Sequence, residues 1–233
     1  METFKEFSDR INSFEKKQIS LGEGDFKVNP SLSQKVGKDN KFKNFYGDTV
    51  VFDLDDGVKK RLDGIVDILY KSAPQCFCER LAWDTFHLTL HDLSNATSLQ
   101  AVEGEMNRNE LKIKQLAEKI SGVQIILKSK CIFNMVNTSL VLGLCPAEER
   151  DYLNLMKLYS LFDGVKKLNY LFTPHITLAY YNIDGFDLHS AKVLEETVNR
   201  LNKEIETELT VKNLYYQRFE SMNCYTDIIK LIK

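Results

Sequence analysis

The sequence contains no apolar run near the roughly 20 residues that a helix needs to span a bilayer. Its start, Met1 to Arg10, is polar and lacks the apolar core of a secretory signal. A basic excess is missing too, because the formal net charge is −2 at pH 7. Proteins that coat duplex nucleic acid need basic surface. We therefore expect a cytoplasmic protein with neither a membrane partner nor a duplex DNA partner, whereas a short nucleotide held in a cleft stays compatible.

Cysteine is too sparse and too irregular for a disulfide framework. The chain has five cysteines, an odd number, at positions 76, 78, 131, 145 and 224. This arrangement favours a reducing compartment. Cys76 and Cys78 have the spacing of half a metal site, but no second pair stands at ligand spacing. We therefore expect a structural role for these thiols, no bound metal and no cofactor.

What the chain does have is an internal repeat of predicted elements, each copy in the order strand, helix, strand, helix, strand. The first copy comprises Thr49–Leu54, Asp55–Ser72, Phe86–Leu90, a helix within Leu99–Ile120, and Val123–Phe133. The second copy comprises Thr138–Leu144, Pro146–Phe162, Pro174–Leu178, Leu188–Ile205 and Leu209–Phe219. The repeat predicts a two-lobed α+β protein with a pseudo-twofold axis between the lobes.

The repeat also predicts the domain organisation. Residues 46–233 form a single bilobal domain, with lobes from about 49–133 and 138–219, and residues 1–45 form an N-terminal extension. A short helix is predicted early in the extension, followed by a loop over Leu21–Lys43 that is rich in Gly, Asn, Ser and Lys. This loop carries a basic cluster of Lys35, Lys38, Lys41 and Lys43. The cluster is either a solvated surface or a flap that helps to hold an anionic ligand.

Histidine is scarce, with four in the chain, yet two histidines occupy matching predicted strands. The segments Phe86-His-Leu-Thr-Leu90 and Pro174-His-Ile-Thr-Leu178 both contain His-x-Thr. Residues two apart in a strand point to the same side, so each histidine shares a face with its threonine. The other side of each strand is apolar. The two pairs are therefore expected to face each other across the groove between the lobes.

Chance does not account for this duplication. With 4 histidines and 12 threonines in 233 residues, about 0.2 His-x-Thr matches are expected in the chain. The two matches also occupy equivalent places in the repeat: Thr49 precedes His87 by 38 residues (87 − 49), and Thr138 precedes His175 by 37 (175 − 138). The sequence therefore predicts one paired site rather than two isolated histidines.

A phosphodiester suits such a pair. Cleavage needs a base for the attacking oxygen and an acid for the departing oxygen, and an imidazole with its ordinary pKa of about 6.5 can serve as either. Threonine hydroxyls can donate hydrogen bonds to the non-bridging oxygens. The predicted catalytic residues are His87, His175, Thr89 and Thr177.

The two His-x-Thr segments resemble the signature motifs of the 2H phosphoesterase superfamily, which includes 2'-5' RNA ligase-like proteins and cyclic phosphodiesterases. The resemblance covers roughly residues 46–220, and the N-terminal extension departs from the compact members. It implies a bilobal fold with two antiparallel sheets lining a central cleft and helices outside. It also implies metal-independent action on 2',3'-cyclic phosphates, 2'-5' linkages or related esters, with Thr89 and Thr177 clamping the phosphate.

Three further residues are predicted to contact the substrate. Tyr46, just before the first strand, and Tyr181, with the strand parity of His175, either stack on a base or pack at the rim. Arg218 is placed to pair with phosphate. His91 has the parity of His87, so it either reaches the cleft edge or lies at the surface.

Three functions stay open. The first is a monomeric phosphodiesterase acting on a small nucleotide or an RNA 3' end, with either histidine as the acid. The second is an RNA end-processing enzyme, which needs a wider basic surface than the charge balance suggests. The third is a nucleotide-sensing module without turnover, which ranks last because both His-x-Thr pairs are intact.

Overall fold

The computed structural model describes residues 2–14, 24–122 and 124–232. In these ranges the helices are α1 (Phe4–Asn12), α2 (Asp56–Ser72), α3 (Leu99–Ala117), α4 (Glu149–Phe162) and α5 (Leu188–Glu204). The strands are β1 (Tyr46–Asp53), β2 (His87–Ala96), β3 (Ile125–Met135), β4 (Ser139–Pro146), β5 (His175–Tyr180), β6 (Glu208–Val211), β7 (Asn213–Ser221) and β8 (Cys224–Lys230).

The four helices predicted for the repeats are confirmed. In α2 the buried Leu62, Val66 and Leu69 follow the helical period that places them on one face. Helix α4, which was predicted from Pro146, begins at Glu149, because Pro146 still belongs to β4. In the part of the chain that the structure describes, no helix combines the length and apolar character needed to cross a bilayer.

The eight strands form one antiparallel sheet in the order β6-β3-β4-β5-β2-β1-β7-β8. It consists of two four-stranded halves, β2-β1-β7-β8 and β5-β4-β3-β6. The halves meet where β2 lies beside β5, and a single register pair, Leu88 and Ile176, joins them. The predicted bilobal α+β fold is confirmed, and the two predicted antiparallel sheets are the halves of one sheet, joined at this junction.

The third strand of each repeat pairs in the opposite half. β3 ends the first copy but pairs with β4 of the second, and β7 pairs with β1 of the first. The single strand predicted over Leu209–Phe219 is wrong for the same reason. Glu208–Val211 pairs with β3, whereas Asn213–Ser221 crosses to β1, so the strand is interrupted at Lys212.

Strands β3 and β8 also differ from the prediction. The strand predicted from Val123 begins at Ile125, and Val123 itself lies outside the described residues. The edge strand β8 was not predicted. Most of its side chains are exposed or half-buried, so its sequence lacks the alternation that marks a strand with one buried face.

A buried carboxylate fixes α3 to the sheet. Asp48 accepts hydrogen bonds from the backbone N–H of Ser94 (2.8 Å), from Nδ2 of Asn109 (3.1 Å) and from the hydroxyl of Tyr216 (2.9 Å). Burying a carboxylate costs stability unless its oxygens are hydrogen-bonded, and Asp48 is only 1% exposed. Because side chains alternate along a strand, the adjacent Thr49 points to the opposite face of the sheet.

The N-terminal extension packs onto the domain. Helix α1 contacts β4 and α4. Residues 24–45 bury the side chains of Leu32, Val36 and Phe45. The loop predicted over Leu21–Lys43 is therefore anchored by apolar contacts, and its start, before residue 24, lies outside the described residues.

Candidate active site

The junction between the two halves brings the four predicted catalytic residues together. Leu88 pairs with Ile176 in an antiparallel register, and both side chains are fully buried. Continuing this register by one residue sets His87 beside Thr177, and Thr89 beside His175. Opposite side chains in such a pair lie about 4.5–5.5 Å apart, and diagonal ones about 7–8 Å. We call these four residues the histidine–threonine quartet.

The quartet lines a cavity of about 710 Å³. Its walls come from both halves of the sheet, from the loop that precedes β5, from the N-terminal segment and from β8. The volume lies in the range of small-molecule sites, which run from about 300 to 1,000 Å³. The predicted groove between the lobes is therefore present and carries the quartet.

The two histidine rings are anchored in the same way. Nδ1 of His87 lies 2.8 Å from the carbonyl oxygen of Thr85, and Nδ1 of His175 lies 2.7 Å from that of Thr173. A carbonyl only accepts hydrogen bonds, so Nδ1 of each neutral ring carries the proton and Nε2 carries the lone pair. Among the described residues, neither Nε2 has a hydrogen-bond partner. Both rings thus offer a free basic nitrogen.

Burial keeps both rings neutral in the unliganded protein. It lowers the pKa of His87 to about 4, and the positive charge of Lys59 acts in the same direction. Burial also lowers the pKa of His175, again the main cause, while the charge of Asp92 opposes the effect. An anion placed between the rings would favour their protonated forms.

Each histidine strand contains a β-bulge just after its threonine, and the bulges change which side chains face the cavity. In β2, Leu90 is skipped between Thr89 and His91; in β5, Leu178 is skipped between Thr177 and Ala179. An extra residue reverses the alternation of side chains beyond it.

The bulges correct two predictions. His91, predicted either at the cleft edge or at the surface, is buried against Tyr159, and Asp92 lines the cavity instead. Tyr181 is fully buried outside the cavity lining, and Tyr180 lines the cavity in its place.

Arg218 and Tyr46 also lie outside the cavity lining. The Arg218 guanidinium donates to Glu110 (2.8 Å) and to Asn107 (2.9 Å) on α3, so it belongs to the outer face of the sheet. Tyr46 pairs with Ala96 at the start of β1. The structure therefore supports neither residue as a substrate contact.

Several cavity residues were missed by the sequence analysis. Thr85 and Thr173 line the cavity, and the full repeated motif is Thr-x-His-x-Thr, a signal that was available. Thr49 and Thr138, the residues that define the equal offsets, line it as well. The rings of Tyr225 and His87 pack edge to face with centroids 4.9 Å apart, but β8, which carries Tyr225, was not predicted.

The four lysines of the basic cluster in the extension do not all lie at the cavity. Lys35 lines the cavity, whereas Lys38, Lys41 and Lys43 do not. Nζ of Lys43 donates to the carbonyl of Ser33. One lysine of the predicted flap thus reaches the site.

A buried cation holds the backbone that precedes His87. Nζ of Lys59 donates to the carbonyl oxygen of Asp84 (2.8 Å), three residues before the histidine (87 − 84), and pairs with Asp53 (2.7 Å). The Lys59 side chain is 9% exposed. This contact braces the segment whose next carbonyl, that of Thr85, anchors the ring.

A second cation holds the equivalent backbone before His175. Nη2 of Arg10 donates to the carbonyl oxygen of Phe172 (2.9 Å), again three residues before the histidine (175 − 172), and Nη1 donates to Oγ1 of Thr173 (3.1 Å). The guanidinium also donates two bonds to Glu2, each 2.8 Å long. Arg10 comes from α1, so the extension supplies this brace.

Within the described residues, no group of three or more His, Cys, Asp or Glu side chains is placed to hold a metal ion. Cys76 and Cys78 are both buried, and burial raises the pKa of each thiol to about 12. Both thiols therefore stay protonated at neutral pH in the unliganded protein.

Comparison with known proteins bears on the fold. No family model and no curated protein matches the sequence. A conserved protein of unknown function from Agrobacterium tumefaciens gives a TM-score of 0.70 at 12% identity, covering 94% of this chain and 98% of that one. LigT from E. coli in its apo form gives 0.51 at 16% identity, covering 81% and 97%. A structure described as a phosphoesterase gives 0.50 at 14% identity, covering 80% and 96%. The chain thus shares the fold of LigT and of this phosphoesterase, as the resemblance implied.

Proposed function

We propose that this protein hydrolyses a phosphodiester bond in a small nucleotide or at an RNA end, such as a 2',3'-cyclic phosphate or a 2'-5' linkage. The observation that carries the proposal is the pair of identically anchored imidazoles, on two strands that meet at the Leu88–Ile176 pair. The fold shared with LigT and a phosphoesterase agrees with it.

The quartet supplies the groups that hydrolysis needs. Nε2 of one neutral histidine accepts a proton from water as the water oxygen bonds to phosphorus. The bond from phosphorus to the departing sugar oxygen breaks, and the second histidine, protonated beside the bound phosphate, gives that oxygen its proton. Thr89 and Thr177 donate to the non-bridging oxygens, where negative charge grows. No metal enters this scheme.

The test is hydrolysis of 2',3'-cyclic mononucleotides and of 2'-5' and 3'-5' dinucleotides in EDTA, between pH 5 and pH 9. We expect turnover with a bell-shaped pH profile. His87→Ala and His175→Ala should each lower kcat by about 10²–10⁴-fold, because each removes a general acid or base.

His189→Ala is the matched control, since His189 is exposed at the start of α5 and outside the cavity lining. Near-normal kcat in either active-site variant, on a substrate that the wild type turns over, would refute the paired mechanism. A full loss on addition of EDTA would refute the metal-free scheme.

A further inference from the structure

A second group of hydrogen-bond donors lies in the same cavity, outside the quartet. Lys35, Tyr180 and Tyr225 all line the cavity, together with Met222. Lys35 comes from the N-terminal segment, Tyr180 ends β5, and Tyr225 lies in β8. Three separate parts of the chain thus converge on one spot.

Lys35 brings a positive charge without a counter-ion. Its Nζ lies 5.5 Å from the centre of the Phe45 ring, 5.3 Å from that of Tyr180, and 3.5 Å from the Tyr180 hydroxyl. None of the ion pairs among the described residues includes it. Aromatic faces attract an ammonium group but leave its charge in place. Backbone hydrogen bonds to Leu32 and Lys43 fix the residue.

The two tyrosine hydroxyls have only a weak acceptor. Tyr180 donates to Sδ of Met222 at 3.2 Å, and Tyr225 donates to the same sulfur at 3.9 Å. A thioether accepts hydrogen bonds poorly, whereas buried phenol groups usually find a stronger partner. Burial raises the pKa of Tyr225 well above its ordinary value, so its hydroxyl keeps its proton and remains a donor.

We infer that Lys35, Tyr180 and Tyr225 form a subsite for a second phosphoryl group of the substrate. One ammonium and two hydroxyls, all lacking a strong acceptor, suit the oxygens of a phosphate monoester. This inference rests on the proposed function and sharpens its substrate class: a phosphodiester whose other end carries a phosphate.

The position of the subsite fits a second group rather than the reacting one. Tyr180 lies three residues beyond Thr177 on β5 (180 − 177), on the order of 10 Å along the strand. Tyr225 connects the subsite to the quartet, because its ring packs against that of His87. The subsite is therefore adjacent to the quartet without overlapping it.

The experiment compares two substrates that differ in one phosphate. These are adenosine 2',3'-cyclic phosphate with a free 5'-hydroxyl and the same compound with a 5'-phosphate. We expect the wild type to prefer the 5'-phosphorylated compound by about 10- to 100-fold in kcat/KM, since hydrogen bonds to charged groups contribute on that scale. Lys35→Met should bring the ratio close to one. Lys38→Met, which removes an exposed lysine of the same segment, should keep the preference.

Calorimetry with inorganic phosphate tests the subsite without turnover. We expect weaker binding by Lys35→Met and by Tyr225→Phe, which removes only the hydroxyl, and unchanged binding by Lys38→Met. If neither nucleotide is turned over but phosphate binding depends on Lys35, the proposed function fails, and Lys35 belongs to an anion-binding site without a substrate assignment.

Two results would overturn the inference while leaving the proposed function intact. One is equal kcat/KM for the two compounds in the wild type, even if free phosphate binds through Lys35, because the subsite would then hold free phosphate only. The other is a 5'-phosphate preference that survives in Lys35→Met.

Discussion

The two half-sites have the same backbone but different surroundings. Both histidines are anchored to the carbonyl two residues before them, and both strands have a bulge after the threonine. His87 is covered by Tyr225 from the C-terminal edge strand, whereas His175 is braced by Arg10 from the N-terminal helix. The repeated segments thus supply the paired histidines, whereas β8 and α1 make the two half-sites unequal.

Different residues hold the backbone in front of the two histidines, and we call these residues, Lys59 and Arg10, the braces. Lys59, in the first turn of α2, donates a hydrogen bond to the carbonyl three residues before His87. The second repeat has no lysine in the equivalent helix turn, and Arg10, from outside the repeat, bonds the matching carbonyl. The extension is therefore part of the site.

Among the tests of this comparison, we expect the largest effect on kcat when Arg10 or Lys59 is replaced. Arg10→Ala and Lys59→Met should each lower kcat by about 10- to 100-fold with a smaller change in KM, because a shift of about 1 Å in a catalytic group costs that much. Arg10→Lys and Lys59→Arg should recover part of the loss. Lys5→Ala is the control on α1, since Lys5 pairs with Asp9 at the surface.

Nuclear magnetic resonance of the two histidine rings tests each half-site separately. The ring-nitrogen chemical shifts should report a protonated Nδ1 for both neutral histidines. Arg10→Ala should mix the tautomers of His175 alone, and Lys59→Met those of His87 alone. If both variants changed both rings equally, or changed neither, the braces would not position the histidines individually.

A smaller effect is expected on how the free energy of unfolding depends on pH. The pKa of His87 is about 4 in the folded chain and about 6.5 when unfolded, so between these values the unfolded chain binds more protons. The free energy of unfolding should therefore fall as the pH drops from about 6.5 to about 4.5. Carboxylates with lowered pKa, such as Asp67, lose their contribution mainly below this window.

The measurement is the urea unfolding midpoint between pH 4.5 and pH 7. His87→Asn should flatten the dependence more than His175→Asn, because the lowering of the pKa is large enough at His87 to reach about 4. An unaltered slope in His87→Asn would show that the ring takes up its proton freely in the folded protein.

The smallest effect is expected at Tyr181. Its hydroxyl is buried, and no hydrogen-bond partner exists for it among the described residues. Tyr181→Phe should leave kcat/KM unchanged and should keep or slightly raise the melting temperature, because an unpaired buried hydroxyl costs stability. A marked loss of turnover would show that the sequence-based assignment of Tyr181 to the substrate was right.

The quartet was predictable because strand parity is a local property. His87 and Thr89 lie on the same face before the bulge is reached, and so do His175 and Thr177. Beyond each bulge the same rule fails, which is why Tyr181 was chosen in place of Tyr180. A bulge depends on the partner strand, and its position is not encoded in the alternation of the strand itself.

The features that sequence patterns missed are long-range pairings. The interruption at Lys212 arises because β6 and β7 pair with strands in different halves. The role of Arg10 depends on a hydrogen bond to Phe172, 162 residues away. Periodicity along a segment carries no information about such partners.

Because each repeat contributes its third strand to the opposite half of the sheet, the two repeats are interleaved. A fragment ending after β3 would contain β1 and β2 but lack β7, the neighbour that completes their side of the sheet. We therefore expect that neither repeat folds on its own and that the two histidine strands, β2 and β5, form in the same cooperative transition. Loop closure across most of the chain must precede assembly of either half, which predicts slow folding in a single step.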